Sequence, residues 1–183
     1  MRIVYDQIVL ADSNDTTGSP FVCPRCYLAS PMGFTEAGQR YYRDVYVPAL
    51  SQHVEVVDPW PLADSTAIAT DVDDQRARYM AIGRNNAVAI ESCSLLIADL
   101  DGQEVDSGTA AEIGYAAGHG LLCLGLRSDL RQAGEAALRV NAQVEFFIHA
   151  SGGQIVSSLV DLVFLLEKLN GTAGRPAMPA PPT

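Results

Sequence analysis

The chain has 183 residues, enough for one domain with a full-sized core, and 48% of them are hydrophobic. Its 22 acidic and 12 basic residues give a net charge of −10, which argues against a nucleic-acid partner, since binders of polyanions carry basic patches. No apolar run reaches the roughly 18 residues of a membrane span, and the N-terminus lacks the long apolar region and cleavage site of a secretory signal, so a soluble cytoplasmic protein is expected.

Residues 1–22 hold one strand-like run, "IVYDQIVL", and a polar loop, "ADSNDTTGSP". They read as an extension ahead of the domain, its order left open. Residues 23–170 alternate short apolar runs with longer helix-like segments, the pattern of a single α/β domain with a parallel sheet of about five strands. Strands are expected at 26–30, 54–58, 94–99, 121–126 and 144–149, and helices at 35–52, 73–93, 109–119 and 154–170. The run "SLLIAD" is continuously apolar up to its final acid, as suits a central strand covered on both faces. Residues 171–183, "GTAGRPAMPAPPT", have the Pro- and Ala-rich composition of a disordered tail.

The four cysteines, Cys23, Cys26, Cys93 and Cys123, form no disulfide framework in a chain this long. Cys23-Pro-Arg-Cys26 is a C-x-x-C, but a zinc site needs four ligands and no second C-x-x-C is present. Cys26 opens an apolar strand, where a cysteine acts as a small hydrophobe. Neither a metal nor an organic cofactor is expected.

Ligands of open parallel sheets sit beyond the carboxyl ends of the strands. That rule collects "SPMGF", "DPWP", "DGQEVDSG" and "RSD" at one edge. The third of these opens the stretch "DGQEVDSGTAAEIGYAAG", in which Asp101, Glu104, Asp106 and Glu112 crowd into twelve residues. The structural reading is a solvated acidic loop followed by a capping box, with Thr109 at the helix start and Glu112 reaching back to its backbone N–H. A phosphatase-type D-x-D-G-T loop fails because Gln103 follows Gly102, and an EF-hand fails because the twelfth residue from Asp99 is Ala110.

Three other features exceed the needs of a cap. Asn86 interrupts the apolar stripe Tyr79, Ile82, Ile90 and Cys93 at helical spacing, and a buried amide requires a polar partner. "YLASPMGF" ends a strand in a turn and presents Tyr27 and Phe34 at the ligand edge. "RVNAQVEFF" sets Asn141 and Gln143 just before a predicted strand.

Taken together, "YLASPMGF", "RNNAVAIESC", "DGQEVDSGTAAEIGYAAG" and "VNAQVEFFI" occur in the order of, and resemble, the nucleoside 2-deoxyribosyltransferase family, over about residues 26–170. The resemblance implies a flavodoxin-like, doubly wound fold and a homo-oligomer with active sites shared between subunits. It makes Glu112 the nucleophile, Asp106 the acid that engages and protonates the nucleobase, and Tyr27 the residue that positions sugar and nucleophile. Asn141 matches the asparagine that holds the sugar's 5′-hydroxyl in a neighbour's site, with Gln143 beside it. Ser30, Phe34 and Gly108 complete the substrate-binding candidates. Asn86 falls where well-known members carry an aspartate that contacts the base; an amide can hydrogen-bond a base but cannot act as an acid.

The implied chemistry is a retaining double displacement. One carboxylate traps the oxocarbenium-like C1′ while the second carboxyl group protonates the leaving base, the two standing roughly 5–5.5 Å apart. The clustered acids would raise the pKa of Glu112, and a hydrogen bond from Tyr27 would oppose that. The partners implied are a nucleoside and a free nucleobase. Two other readings stay open: N-glycoside hydrolysis of a nucleoside or its 5′-monophosphate by the same carboxylates, and a non-catalytic nucleoside sensor.

Overall fold

The computed structural model describes residues 23–60 and 72–171. The expected extension, and all of the expected tail but Gly171, lie outside the described residues. Five strands form one sheet: β1 (Arg25–Ala29), β2 (Glu55–Val57), β3 (Leu95–Asp99), β4 (Leu122–Leu126) and β5 (Ile155–Val156). All pair in parallel, in the order β2-β1-β3-β4-β5. This is the flavodoxin-like order, with its switch point between β1 and β3.

Helices α1 (Glu36–Tyr41) and α2 (Val47–Leu50) join β1 to β2 through a single π turn at Tyr42–Tyr46. Pro48 explains the widening: it has no N–H to return to Asp44, and the Val47 N–H bonds five residues back to the Tyr42 carbonyl. Further along come α3 (Val72–Glu91), α4 (Ser107–Gly118), α5 (Ala142–Ala150) and α6 (Leu159–Leu169). Among the described residues no helix is long and apolar enough to cross a membrane.

The alternation of side chains along the strands divides the core in two. Cys26, Leu28, Leu95, Ile97, Leu124 and Leu126 pack against Tyr42, Tyr46, Leu50, Leu162 and Leu166. Tyr27, Ala29, Leu96, Ala98 and Cys123 face Ile90, Ile113, Ala116, Val144 and Ile148. Ile113 is fully buried, which stabilises the contact of α4 with the sheet by about 1.5–3 kcal/mol. Cys26 is also fully buried and free, so the second C-x-x-C cysteine serves the core.

One expected element is wrong in kind. Residues 144–149 were expected as a strand and lie inside helix α5, while β5 is a two-residue strand within the stretch expected to begin the last helix. Asn141 caps α5 by accepting from the Gln143 N–H, and Val144 and Ile148, four apart, supply its buried stripe while Phe146 stays exposed. A short apolar run does not by itself separate strand from helix.

Candidate active site

Tyr27 sits in the middle of β1, and the strand's alternation sends its side chain to the face covered by α3, α4 and α5. Glu112 lies in the second turn of α4, on the helix face turned to the sheet. The Tyr27 hydroxyl donates to Glu112 Oε1 at 2.6 Å. From α3, the Asn86 amide donates through Nδ2 to the same oxygen at 3.2 Å. Three elements, β1, α3 and α4, therefore converge on one carboxylate. Its other oxygen, Oε2, accepts no hydrogen bond among the described residues. Asn86 Oδ1 is buried without a partner.

The electrostatics follow from that geometry. Burial pushes the Glu112 carboxyl above the ordinary glutamate range; the hydrogen bonds from Tyr27 and then Asn86 pull it down, and the charge of Asp106 pushes it up again. Tyr27 is driven the same way, by burial first and by Glu112 next, so it remains a protonated donor at any physiological pH. The pairing leaves a desolvated carboxylate whose charge is held by two neutral donors. Such a group is poised for nucleophilic or acid–base work.

Asp106 is the N-cap of α4. Its Oδ2 accepts from the Thr109 N–H at 3.0 Å and contacts Thr109 Oγ1 at 3.4 Å. The expected capping box is therefore not formed: Asp106 takes the capping role assigned to Thr109, and Glu112 turns to Tyr27 and Asn86. A cap one turn earlier is favoured because an aspartate satisfies the first-turn N–H groups and complements the positive helix end. Gly108 lies against this cap; a Cβ there would stand 3.0 Å from Asp106 Oδ2.

The remaining expected residues are placed apart from this cluster. Ser30 caps the short 3₁₀ turn Pro31–Phe34, accepting from the Met32 N–H, and its hydroxyl reaches Asp99 at 3.4 Å. Phe34 is 73% exposed and rests edge-on against Trp60, with ring centroids 4.9 Å apart. Asn141 Oδ1 is engaged in the cap of α5, and Gln143 is exposed. No hydrogen bond joins Asn141 or Gln143 to Tyr27, Asn86 or Glu112 among the described residues.

Two acids matter more than the sequence suggested. Asp99 ends β3 at the switch point and is only 3% exposed; burial pushes its carboxyl up to about 6 against the hydrogen bond from the Asp101 N–H. An acid closing an otherwise apolar strand was the signal available for it. Asp101, read as a loop charge, accepts from the N–H groups of Ser128 and Asp129 and from the Ser128 hydroxyl.

Fold and site thus define a doubly wound α/β protein that holds a desolvated, hydrogen-bonded carboxylate against its sheet near the switch point. A model of the nucleoside 2-deoxyribosyltransferase family matches residues 26–155, and the chain belongs to that family. The family is one of enzymes. Among solved structures, a 2-deoxyribosyltransferase from Leishmania mexicana is similar at 25% identity, covering 79% of this chain and 96% of its own, with a TM-score of 0.54. Two more distant structures share the fold. A conserved protein from Enterococcus faecalis V583 is 22% identical over 81% of this chain and 99% of its own, with a TM-score of 0.60. A 2-deoxyribosyltransferase from Bacillus psychrosaccharolyticus is 18% identical over 76% and 90%, with a TM-score of 0.58. No curated protein matches the chain in sequence.

Proposed function

We propose that this protein transfers the 2-deoxyribosyl group of a deoxynucleoside from one nucleobase to another, with Glu112 as nucleophile and Asp106 as the acid on the base side. The observation that carries the reading is the asymmetric grip on Glu112: Oε1 receives both Tyr27 and Asn86, and Oε2 is left without a donor among the described residues. An ionised carboxylate with one oxygen anchored and one free is equipped to form an ester with C1′. Membership of the family, and the likeness to the 2-deoxyribosyltransferase of Leishmania mexicana, support the same activity.

In the first half-reaction Glu112 Oε2 bonds to C1′ as the C1′–N bond breaks. The bonding pair leaves with the base, which takes a proton from Asp106. In the second, a nitrogen of the incoming base attacks C1′ from the face the first base left. The ester bond breaks, Glu112 recovers its charge and Asp106 recovers a proton. Two inversions return the β configuration. Tyr27 holds the carboxylate ionised during the first step and stabilises it as it departs in the second.

The resemblance also supports a homo-oligomer in which Asn141 serves a neighbour's sugar. The cap of α5 uses Asn141 Oδ1 and leaves its amide N–H groups to donate. Mixing a Glu112→Gln variant with an Asn141→Ala variant tests this, since hybrid oligomers with shared sites recover activity that neither variant shows alone.

The central test is intact-protein mass spectrometry after exposure to a 2′-deoxy-2′-fluoro nucleoside. A sugar adduct on wild type that is absent from Glu112→Gln is the expected result. The variant should also lose at least about a thousandfold in transfer; near wild-type transfer would refute the nucleophile assignment. Incubating a deoxynucleoside with and without a second base separates transfer from hydrolysis. Free sugar formed at an equal rate in both would favour the hydrolase.

A further inference from the structure

We infer that Asn86 is a positioning residue for Glu112: its amide and the Tyr27 hydroxyl together fix Oε1, and so determine that Oε2 is the oxygen that attacks. The inference rests on the reading of Glu112 as nucleophile. It gives Asn86 a role toward the enzyme's own carboxylate, distinct from any contact with the base.

The first argument is geometric. Tyr27 alone, at 2.6 Å from Oε1, anchors one atom and leaves the carboxylate free to swing about that anchor. A second donor from a different helix, at 3.2 Å from the same atom, removes that freedom. Tyr27 rides on β1 and Asn86 on α3, so the carboxylate is triangulated from two elements with independent supports.

The second argument is the orientation of the amide. Flipped, it would set Oδ1 against Oε1, oxygen to oxygen, in a desolvated site; the donor must face Glu112. In that orientation Oδ1 is buried with no partner. A buried carbonyl without a donor is unfavourable and calls for a compensating contact. The hydrogen bond to Glu112 is that contact, and it is the amide's polar tie to the protein among the described residues.

The third argument is charge. The titratable groups bearing on Glu112 among the described residues are Tyr27 of β1 and Asp106 at the cap of α4. Asp106 contributes like charge, and both donors oppose it. A neutral donor at residue 86 favours the ionised form of Glu112; an aspartate there would add a second like charge and remove a donor.

The test is the titration of Glu112 itself, followed by carbon-13 NMR in protein labelled at the glutamate carboxyl carbons, with the resonance assigned by its loss in Glu112→Gln. Asn86→Asp matches asparagine in size and Asn86→Leu keeps its branched four-atom outline with a larger volume, and circular dichroism checks their folding. The titration midpoint of Glu112 should rise in both, by about one pH unit or more in Asn86→Asp. The acid limb of kcat/KM for base exchange should move up by the same amount, with KM little changed. If Asn86→Asp does not fold, Asn86→Leu carries the test alone. A Glu112 midpoint unmoved from wild type in a folded variant overturns the inference. If the midpoint moves but Glu112→Gln still transfers, the hold of Asn86 on the carboxylate stands while the nucleophile assignment falls, and with it the choice of attacking oxygen, so the two failures are distinguishable.

Discussion

Replacing Asp99 with asparagine removes an ionisable group from the core while keeping its shape. Asp99 is 3% exposed, accepts from the Asp101 N–H at 3.2 Å, and is met by the Ser30 hydroxyl at 3.4 Å. Its carboxyl is lifted from 3.8 to about 6, with burial as the largest cause and the Asp101 charge adding to it. The native state therefore binds this proton more tightly than the unfolded chain does. Wild-type stability consequently falls as pH rises from about 4 to about 6, and the loss is complete above that. At about 1.4 kcal/mol per pH unit, a lift from 3.8 to about 6 corresponds to about 3 kcal/mol. The opposing hydrogen bonds and the Arg127 charge are already contained in that lift. An asparagine carries no such penalty: its carbonyl oxygen can accept from the Asp101 N–H in place of Oδ1, and its amide nitrogen, in place of Oδ2, can donate to the Ser30 hydroxyl. Urea unfolding of both proteins at pH 8 and at pH 4 gives the comparison. We expect Asp99→Asn to be more stable than wild type by up to about 3 kcal/mol at pH 8 and equal to it at pH 4. A variant less stable at pH 8, or a difference identical at the two pH values, would refute the reasoning.

Other outcomes follow from the same geometry. Tyr27→Phe removes the shorter donor to Glu112, so the acid limb of the pH–rate profile should shift upward and transfer at neutral pH should fall about tenfold or more; a limb that stays in place would show that Tyr27 does not hold the charge. Asp106→Asn keeps an N-cap of equal quality, so its melting temperature should match wild type while transfer drops most for poorly leaving bases. Asp106→Ala should in addition lose about 1 kcal/mol in denaturant unfolding. Asn141→Ala should cost about 1 kcal/mol through the cap of α5, measured the same way.

The strands β1, β3 and β4 were legible because runs such as "LLIA" are apolar throughout and bounded by polar and turn residues. The "VEFFIH" segment was not, because its strand-like composition says nothing of Asn141, whose side chain starts a helix by capping it. The cluster around Glu112 was legible in part from residue types and order: Asn86 was expected to need a polar partner, and it has Glu112. The stripe that signalled it is only partly a core stripe, since Tyr79 is 69% exposed while Ile90 is buried. Periodicity records which residues share a face of a helix, and cannot record how far along its length a neighbour covers that face. The use of Asp106 as cap and the release of Glu112 from capping were beyond sequence, because both acids satisfy the same local pattern and tertiary partners decide between them. Asp99 was passed over for a similar reason: its position was visible, but its desolvation is set by tertiary packing, which leaves it 3% exposed.

Asp101 ties the segment leaving β3 to the segment leaving β4, through the N–H groups of Ser128 and Asp129 at 2.6 and 2.8 Å, and the Gly102 N–H returns a bond to Asp129. The two segments are thereby stitched together, so the turn after β3 is braced by the turn after β4 as well as by its own strand. Leu130, fully exposed between Asp129 and Arg131, stands at the far end of that linkage. A dye placed there would sense whether the two segments stay stitched, as in a comparison with Asp101→Ala.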